Sequence, residues 1–215
     1  MSSETKKMWQ LFHVREDSIL ELRAINPATG ATRTQLFTPK HGTMEEKKRA
    51  FKLAALKLNN EGYNIYTVMN PINPNFQGGS AKDTDIAHRN LLLIDIDRAG
   101  ATKNPATDDD IKAARSLAKE IAVYLTEKGW PQPKQVMSGN GWHVYYRLDQ
   151  LSNDDKIKSL IRNVLKLLAK RFNNSIVNID TVVYNASRIT KVPGTVARKG
   201  EETEGRPYRK AGVYE

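Results

Sequence analysis

The chain has 215 residues, enough for one packed domain or one domain of two lobes, with 34 lysines and arginines against 24 aspartates and glutamates. The resulting net charge of +10 favours a polyanionic partner, nucleic acid first. There is no cysteine, which excludes disulfides, a thiolate nucleophile and cysteine-ligated zinc, and no signal-peptide or membrane-spanning apolar stretch, so a soluble cytoplasmic protein is expected.

Residues 18–38 are predicted as a hairpin, with SILELRAI and TRTQLFT flanking the turn Asn26-Pro27-Ala28-Thr29-Gly30. A helix follows from Thr43, where Thr43 and Glu46 form a capping-box pattern. Met44, Phe51, Ala55 and Leu58 make its apolar stripe, and Gly62 ends it. Residues 63–70, YNIYTVMN, are strand-like. The Pro/Gly-rich stretch 70–90, which carries Lys82 and Arg89, is either a functional loop or a surface insertion.

Residues 91–97 read LLLIDID, a short apolar run that suits a buried strand. Side chains alternate across a strand, so Leu93, Asp95 and Asp97 share one face. Two neighbouring carboxylates repel each other and lose hydration, which points to a divalent cation. The plainer alternative is that they cap loops or pair with Arg89 and Arg98.

Helices are predicted over 107–128 and 153–172. Asp108, Asp109 and Asp110 suit the first helix dipole, and Ile111, Ala114, Ala118, Ile121 and Leu125 form its core stripe. Ile157, Leu160, Val164, Leu168 and Phe172 form the second stripe. Between these helices lies QVMSGNGWHVYYRL, and after them VNIDTVVYNASRITKVPGTVARKG. The order strand–helix–strand–strand–helix–strand is the split βαβ plan. Pro193-Gly194 is expected to be a turn aligning two short strands. The polar stretch 201–215, EETEGRPYRKAGVYE, reads as the start of a linker to a further domain.

Ser138-Gly139-Asn140-Gly141-Trp142-His143 runs straight into a strand on which Tyr145 and Arg147 share the face of His143. Paired glycines let successive backbone amides point at an anion, and with the serine hydroxyl and the imidazole they suit a triphosphate. The plainer reading is a tight hairpin turn with a surface histidine. Asp180 would add a third carboxylate, enough for two magnesium or manganese ions. Arg188, Lys191, Arg198 and Lys199 then place four positive charges near it, as phosphates would need.

The order DxD, SGxGxH, lone Asp resembles the three motifs of the archaeo-eukaryotic primase superfamily, the primase-polymerases, most closely its bacterial, plasmid and phage members. The likeness spans roughly residues 63–210 and includes NASRITKVPGTVARKG. It implies an α/β (α+β) catalytic domain over 1–200: an N-terminal α/β lobe (about 10–70), and an RRM-like mixed sheet bearing the active site (about 88–200). It implies metal ligation by Asp95, Asp97 and Asp180. Nucleotide contacts would come from Ser138, Gly139, Gly141, His143, Arg188 and Lys191, with Lys82, Arg89, Arg198 and Lys199 as candidates for template or an initiating nucleotide. The implied activity is primer synthesis or extension on single-stranded DNA from nucleoside triphosphates, with a helicase domain or subunit as partner. Many relatives carry a zinc element; none is expected here. The rival is a catalytically inactive replication-initiation DNA-binding module of the same fold. An RNA-binding RRM is disfavoured, because Asp95 and Asp97 replace the expected sheet aromatics.

Overall fold

The computed structural model describes residues 3–12, 14–100 and 103–214, with side chains from residue 7 onward. After helix α1 (Ser3–Leu11), strands β1 (Leu20–Ile25) and β2 (Thr32–Phe37) form the expected hairpin, with Leu20 opposite Phe37. The Asn26 side-chain Oδ1 accepts hydrogen bonds from the Ala28 and Thr29 amides at 2.9 and 3.1 Å, which closes the turn. Helix α2 (Met44–Asn60) starts at the Thr43–Glu46 capping box. It buries Met44, Phe51 and Ala55 against the hairpin, while Leu58 is only half-buried.

Strand β3 (Asn64–Val68) pairs antiparallel with β1 on one side. On its other side it pairs with β8 (Ile189–Lys191), where Tyr66 lies opposite Lys191. The first sheet therefore has the order β2-β1-β3-β8 and takes its fourth strand from late in the chain. This corrects the expected division of the lobes at about residues 70 and 88, since 189–191 belong to the first lobe's sheet.

The 70–90 stretch is ordered and buries a small core of its own. Ile72 bridges Ile86, and both pack with Ile19, Val68, Ala81 and Ala186. Asn70 fixes its end: the side-chain carbonyl accepts from the Asn90 and Leu91 amides, and the amide donates to the Ala186 carbonyl at 2.9 Å.

The second sheet follows the split βαβ plan. Strand β4 (Arg89–Arg98) leads through α3 (Asp108–Glu127) to β5 (Lys134–Met137), and β6 (Gly141–Leu151) through α4 (Asp155–Phe172) to β7 (Val177–Ile179). The spatial order is β11-β5-β6-β4-β7, with every adjacent pair antiparallel. Leu92, Ile94 and Ile96 are buried on the strand face opposite the two aspartates, in one core with Ala114, Ala118, Ile121, Leu165 and Leu168 of the two helices. That core continues into Leu22, Phe51 and Ile65 of the first lobe, so one apolar interior joins both sheets.

The fifth strand is β11 (Gly212–Tyr214), which adds to β5 with Gly212 opposite Met137. Residues 201–215 were expected to begin a linker; instead β10 (Arg209–Lys210) pairs with β9 (Val196–Ala197), and β11 completes the sheet. Aromatic packing supplies the reason: the Tyr214 ring lies 4.8 Å from that of Trp142, and the Arg115 guanidinium stands over both. Pro193-Gly194 does form a turn, with Gly194 at φ +87°, but its flanking strands pair elsewhere, β8 with β3 and β9 with β10. No helix among the described residues is long and apolar enough to cross a membrane.

Candidate active site

The two sheets enclose a cleft of about 750 Å³, within the range of small-molecule sites. Leu93, Asp95 and Asp97 line it from β4, as strand alternation requires. Ser138, Asn140, His143 and Asp180 line it from the same sheet and its loops. The other wall carries Asn64 and Tyr66 from β3, Arg188 to Lys191 from the β8 segment, and Ala197 to Gly200.

Asp95 faces His143 across the β4–β6 pairing, with Nε2 of His143 3.3 Å from Oδ1 of Asp95. That contact has ion-pair distance without hydrogen-bond geometry, and Oδ1 is buried with no hydrogen-bond partner. Burial pushes the Asp95 carboxyl up, but His143, helped by Arg188 and Lys199, overrides it and holds the group below the ordinary range. Burial likewise opposes the imidazolium, and Asp95, with Asp97 behind it, holds His143 above its usual value. At Asp97, burial and then the neighbouring Asp95 charge outweigh His143 and Lys199 and push the carboxyl up to about 7.

A hydrogen-bonded chain fixes the histidine ring. Nδ1 of His143 meets the Tyr145 hydroxyl at 2.9 Å, and that hydroxyl bonds the Thr190 hydroxyl on β8 of the facing sheet. Both ring nitrogens are thus engaged by protein. His143 also lines the cleft, with Asp95 on one side of its ring and Tyr145 on the other. Arg147, on the same strand face, is exposed and lies outside the cleft lining.

The SGNG turn is a tight hairpin whose amides are largely used internally. Ser138 N donates to Gly141 O at 3.0 Å, Gly141 N to the Ser138 hydroxyl at 3.1 Å, and Gly139 N to the Met137 sulfur at 3.0 Å. The expected nest of anion-binding amides is therefore not what the glycines provide. They provide close approach: a Cβ on Gly141 would lie 2.2 Å from Oδ1 of Asp97, and one on Gly139 (φ +105°) would lie 2.3 Å from the Ala197 Cβ.

Asp180 begins just beside Asp95, its amide donating to the Asp95 carbonyl at 2.8 Å. Its Oδ1 accepts from the Val182 amide at 2.8 Å, and Oδ2 stands 3.9 Å from Nη2 of Arg188. Among the described residues no three His, Asp or Glu side chains are gathered tightly enough to hold a metal. The Asp95–Asp97 pair nevertheless fits a hard divalent cation: an orphaned buried carboxylate oxygen, and a neighbour whose ionisation is suppressed by repulsion.

Two expected cations lie elsewhere. Arg89 is buried at the start of β4, donating from Nη1 to the Tyr184 carbonyl at 2.8 Å. Lys82 is exposed and does not line the cleft. Its neighbour Asp83 accepts from the Ser187 amide and hydroxyl at 2.9 and 2.7 Å, which positions the segment bearing Arg188.

Asn64 and Tyr66 of the cleft, and Asn59 on α2, escape motif reading. Asn64 holds both the amide and carbonyl of Arg198, at 2.7 and 2.6 Å, and Asn59 does the same for Val196 at 2.8 and 2.9 Å. These side chains act in place of a missing neighbouring strand. Asn64 and Tyr66 stand two apart on a strand, and that alternation is the one signal that could have placed them on a common face.

No protein-family model and no curated protein sequence matches the chain. Solved structures do. The AEP domain of the cyanophage S-2L primase-polymerase is 15% identical and aligns over 100% of this chain and 90% of its own, with a TM-score of 0.57. Primase RepB′ is 11% identical, over 99% of this chain and 55% of its own, with a TM-score of 0.54. The polymerase domain from Mycobacterium tuberculosis Ligase D, solved in complex with DNA, is 14% identical over 95% of this chain and 78% of its own, with a TM-score of 0.52. At such identities the likeness speaks for architecture. With its RRM-like sheet, its interleaved first lobe and the cleft between them, the chain has the archaeo-eukaryotic primase-type fold.

Proposed function

We propose that the chain catalyses template-directed nucleotidyl transfer, making or extending primers on single-stranded DNA from nucleoside triphosphates. The observation that carries this reading is an acidic pair, Asp95 and Asp97, set in a cleft whose facing wall bears Arg188, Lys191 and Arg198. A module that only binds DNA gains nothing from two repelling carboxylates beside a polyanion. The same fold in two primases and a DNA-bound polymerase domain supports the assignment.

In this reading Asp95, Asp97 and Asp180 hold magnesium or manganese. The ions, when bound, supply Lewis acidity that neutralises the triphosphate and activates the 3′-hydroxyl. The chain's own part is positioning. His143 keeps Asp95 ionised, Tyr145 and Thr190 fix the ring, and Gly139 and Gly141 let the hairpin close against its neighbours. Ser138, Arg188 and Lys191 face the phosphates, while Arg198 and the exposed Lys199 serve template or an initiating nucleotide.

Incubation with primed and unprimed single-stranded templates, labelled nucleotides and either cation tests the reading. Wild-type protein is expected to lengthen or make primers, and Asp95→Ala to do so about 1,000-fold more slowly, a loss of about 4 kcal/mol of barrier lowering. Wild-type DNA binding without incorporation would assign the chain to non-catalytic replication initiation.

His143→Ala has a distinct signature. Removing the imidazolium lets the Asp95 pKa rise, so the pH below which manganese binding is lost should move upward. Manganese titration by electron paramagnetic resonance, taken from pH 8 down through the carboxylate range, reads the direction of this shift. An unmoved profile with a weakened nucleotide constant would point to a direct phosphate contact instead.

A further inference from the structure

Lys191 closes β8 with 4% of its surface exposed, yet it lines the cleft. Its Nζ donates to the Val196 carbonyl at 3.1 Å and to Oδ1 of Asn64 at 3.4 Å, an oxygen already taken by the Arg198 amide. Both acceptors are neutral, and no described carboxylate comes within ion-pair distance of the amine. An ammonium has three protons to donate, so one remains without a protein acceptor beside the cleft.

Among the titratable and charged groups around it, the Tyr66 ring face favours the ammonium, but no carboxylate pairs with it. From β3 the Tyr66 ring stands 5.4 Å from Nζ, and its hydroxyl is held protonated by burial and by Asp95 and Asp97. From the segment after β9, Arg198 repels the ammonium, with Lys199 next to it on the rim. Asp95 and Asp97 belong to the other sheet. Burial, and then Arg198, lower Lys191 to about 7. An amine that is only partly protonated near neutral pH becomes an ammonium when a polyanion is set beside it.

We propose that triphosphate binding in this cleft is coupled to proton uptake by Lys191, so that the amine is a pH-dependent phosphate donor and not a fixed charge. The inference rests on the nucleotide-binding reading of the cleft. Linkage fixes the sign: affinity falls as pH rises from the free to the bound pKa of the amine, by up to about tenfold per unit.

Protein labelled with ¹³C-lysine provides the test, with the Lys191 Cε resonance assigned by comparison with Lys191→Arg. The resonance is followed against pH, with and without inorganic tripolyphosphate. In free protein Lys191 should titrate near neutrality, well below the other lysines, and tripolyphosphate should raise its midpoint by about one unit or more. Calorimetry in two buffers of different ionisation enthalpy should show more proton uptake for wild type than for Lys191→Arg, whose guanidinium stays charged. An ordinary lysine midpoint in free protein, an unmoved midpoint, or equal uptake in the two proteins overturns the proposal. Tripolyphosphate binding without the shift overturns this proposal alone; failure to bind overturns the nucleotide reading with it.

Discussion

Asp97→Asn is expected to stabilise the cation-free protein at pH 8 while abolishing nucleotide incorporation. Burial and Asp95 raise the carboxyl to about 7, well above the ordinary value of 3.8. A pKa raised on folding adds stability below the unfolded value, and that stability is lost as pH rises through the folded one. At pH 8 the wild type therefore carries a desolvated, repelled charge that an amide of the same shape lacks. The gain should be about 2 kcal/mol, or about 4–8 °C in melting temperature for a chain of this size, and should shrink toward pH 4. Melting in chelator at pH 4.5 and 8 checks the pH dependence. Manganese should then stabilise the wild type and leave the variant unmoved. A variant no more stable than wild type at pH 8 would remove repulsion as the defining property of this pair.

Gly141→Ala should be the most damaging single methyl in the second sheet. Its Cβ would lie 2.2 Å from Oδ1 of Asp97 and 2.4 Å from the Ile96 carbonyl oxygen, a backbone atom with little room to move. Gly141 pairs directly with Asp97, so relief requires β4 and β6 to separate at the acidic pair. The expected cost is about 3 kcal/mol or more, with loss of cation binding beyond what stability explains. Gly205→Ala is the control, because a Cβ there meets nothing within 4 Å. Denaturant melts of both variants decide the matter; equal stability would mean that the hairpin accommodates the methyl.

The parts legible from sequence are those where local chemistry and tertiary packing agree. Thr43 with Glu46 caps its helix as the spacing foretells, and Asp108, Asp109 and Asp110 fall in the first turn of α3 as expected. The alternation around Asp95 places both carboxylates on one face, and Asn26 to Gly30 turns its hairpin. What escaped notice depends on partners far along the chain. Ile189–Lys191 is three residues long, too short for any period to show, and its place beside β3 is set only by pairing. The polar run after Gly200 hides Ala211, which is buried, and Tyr214, whose ring packs on Trp142; together they turn an apparent linker into a strand. Charge normally marks surface, yet Arg89 lies buried with its guanidinium on the Tyr184 carbonyl. The SGxGxH run was recognisable as a site signature, but its glycines act through steric clearance, which a motif does not express.

The late arrival of β8 sets a timetable for synthesis. Tyr66 and its partner Lys191 are 125 residues apart, so β3 leaves the ribosome long before the strand that covers its edge. At about 5–20 residues per second the nascent chain waits roughly 6–25 s with the hydrogen-bonding edge of Asn64–Val68 unpaired. An open edge on a β-prone segment such as NIYTV is a template for intermolecular pairing. Truncation anywhere before Ile189 makes that exposure permanent, and shortened versions of this chain should aggregate through their first lobe even though every residue of β1, β2 and β3 is present.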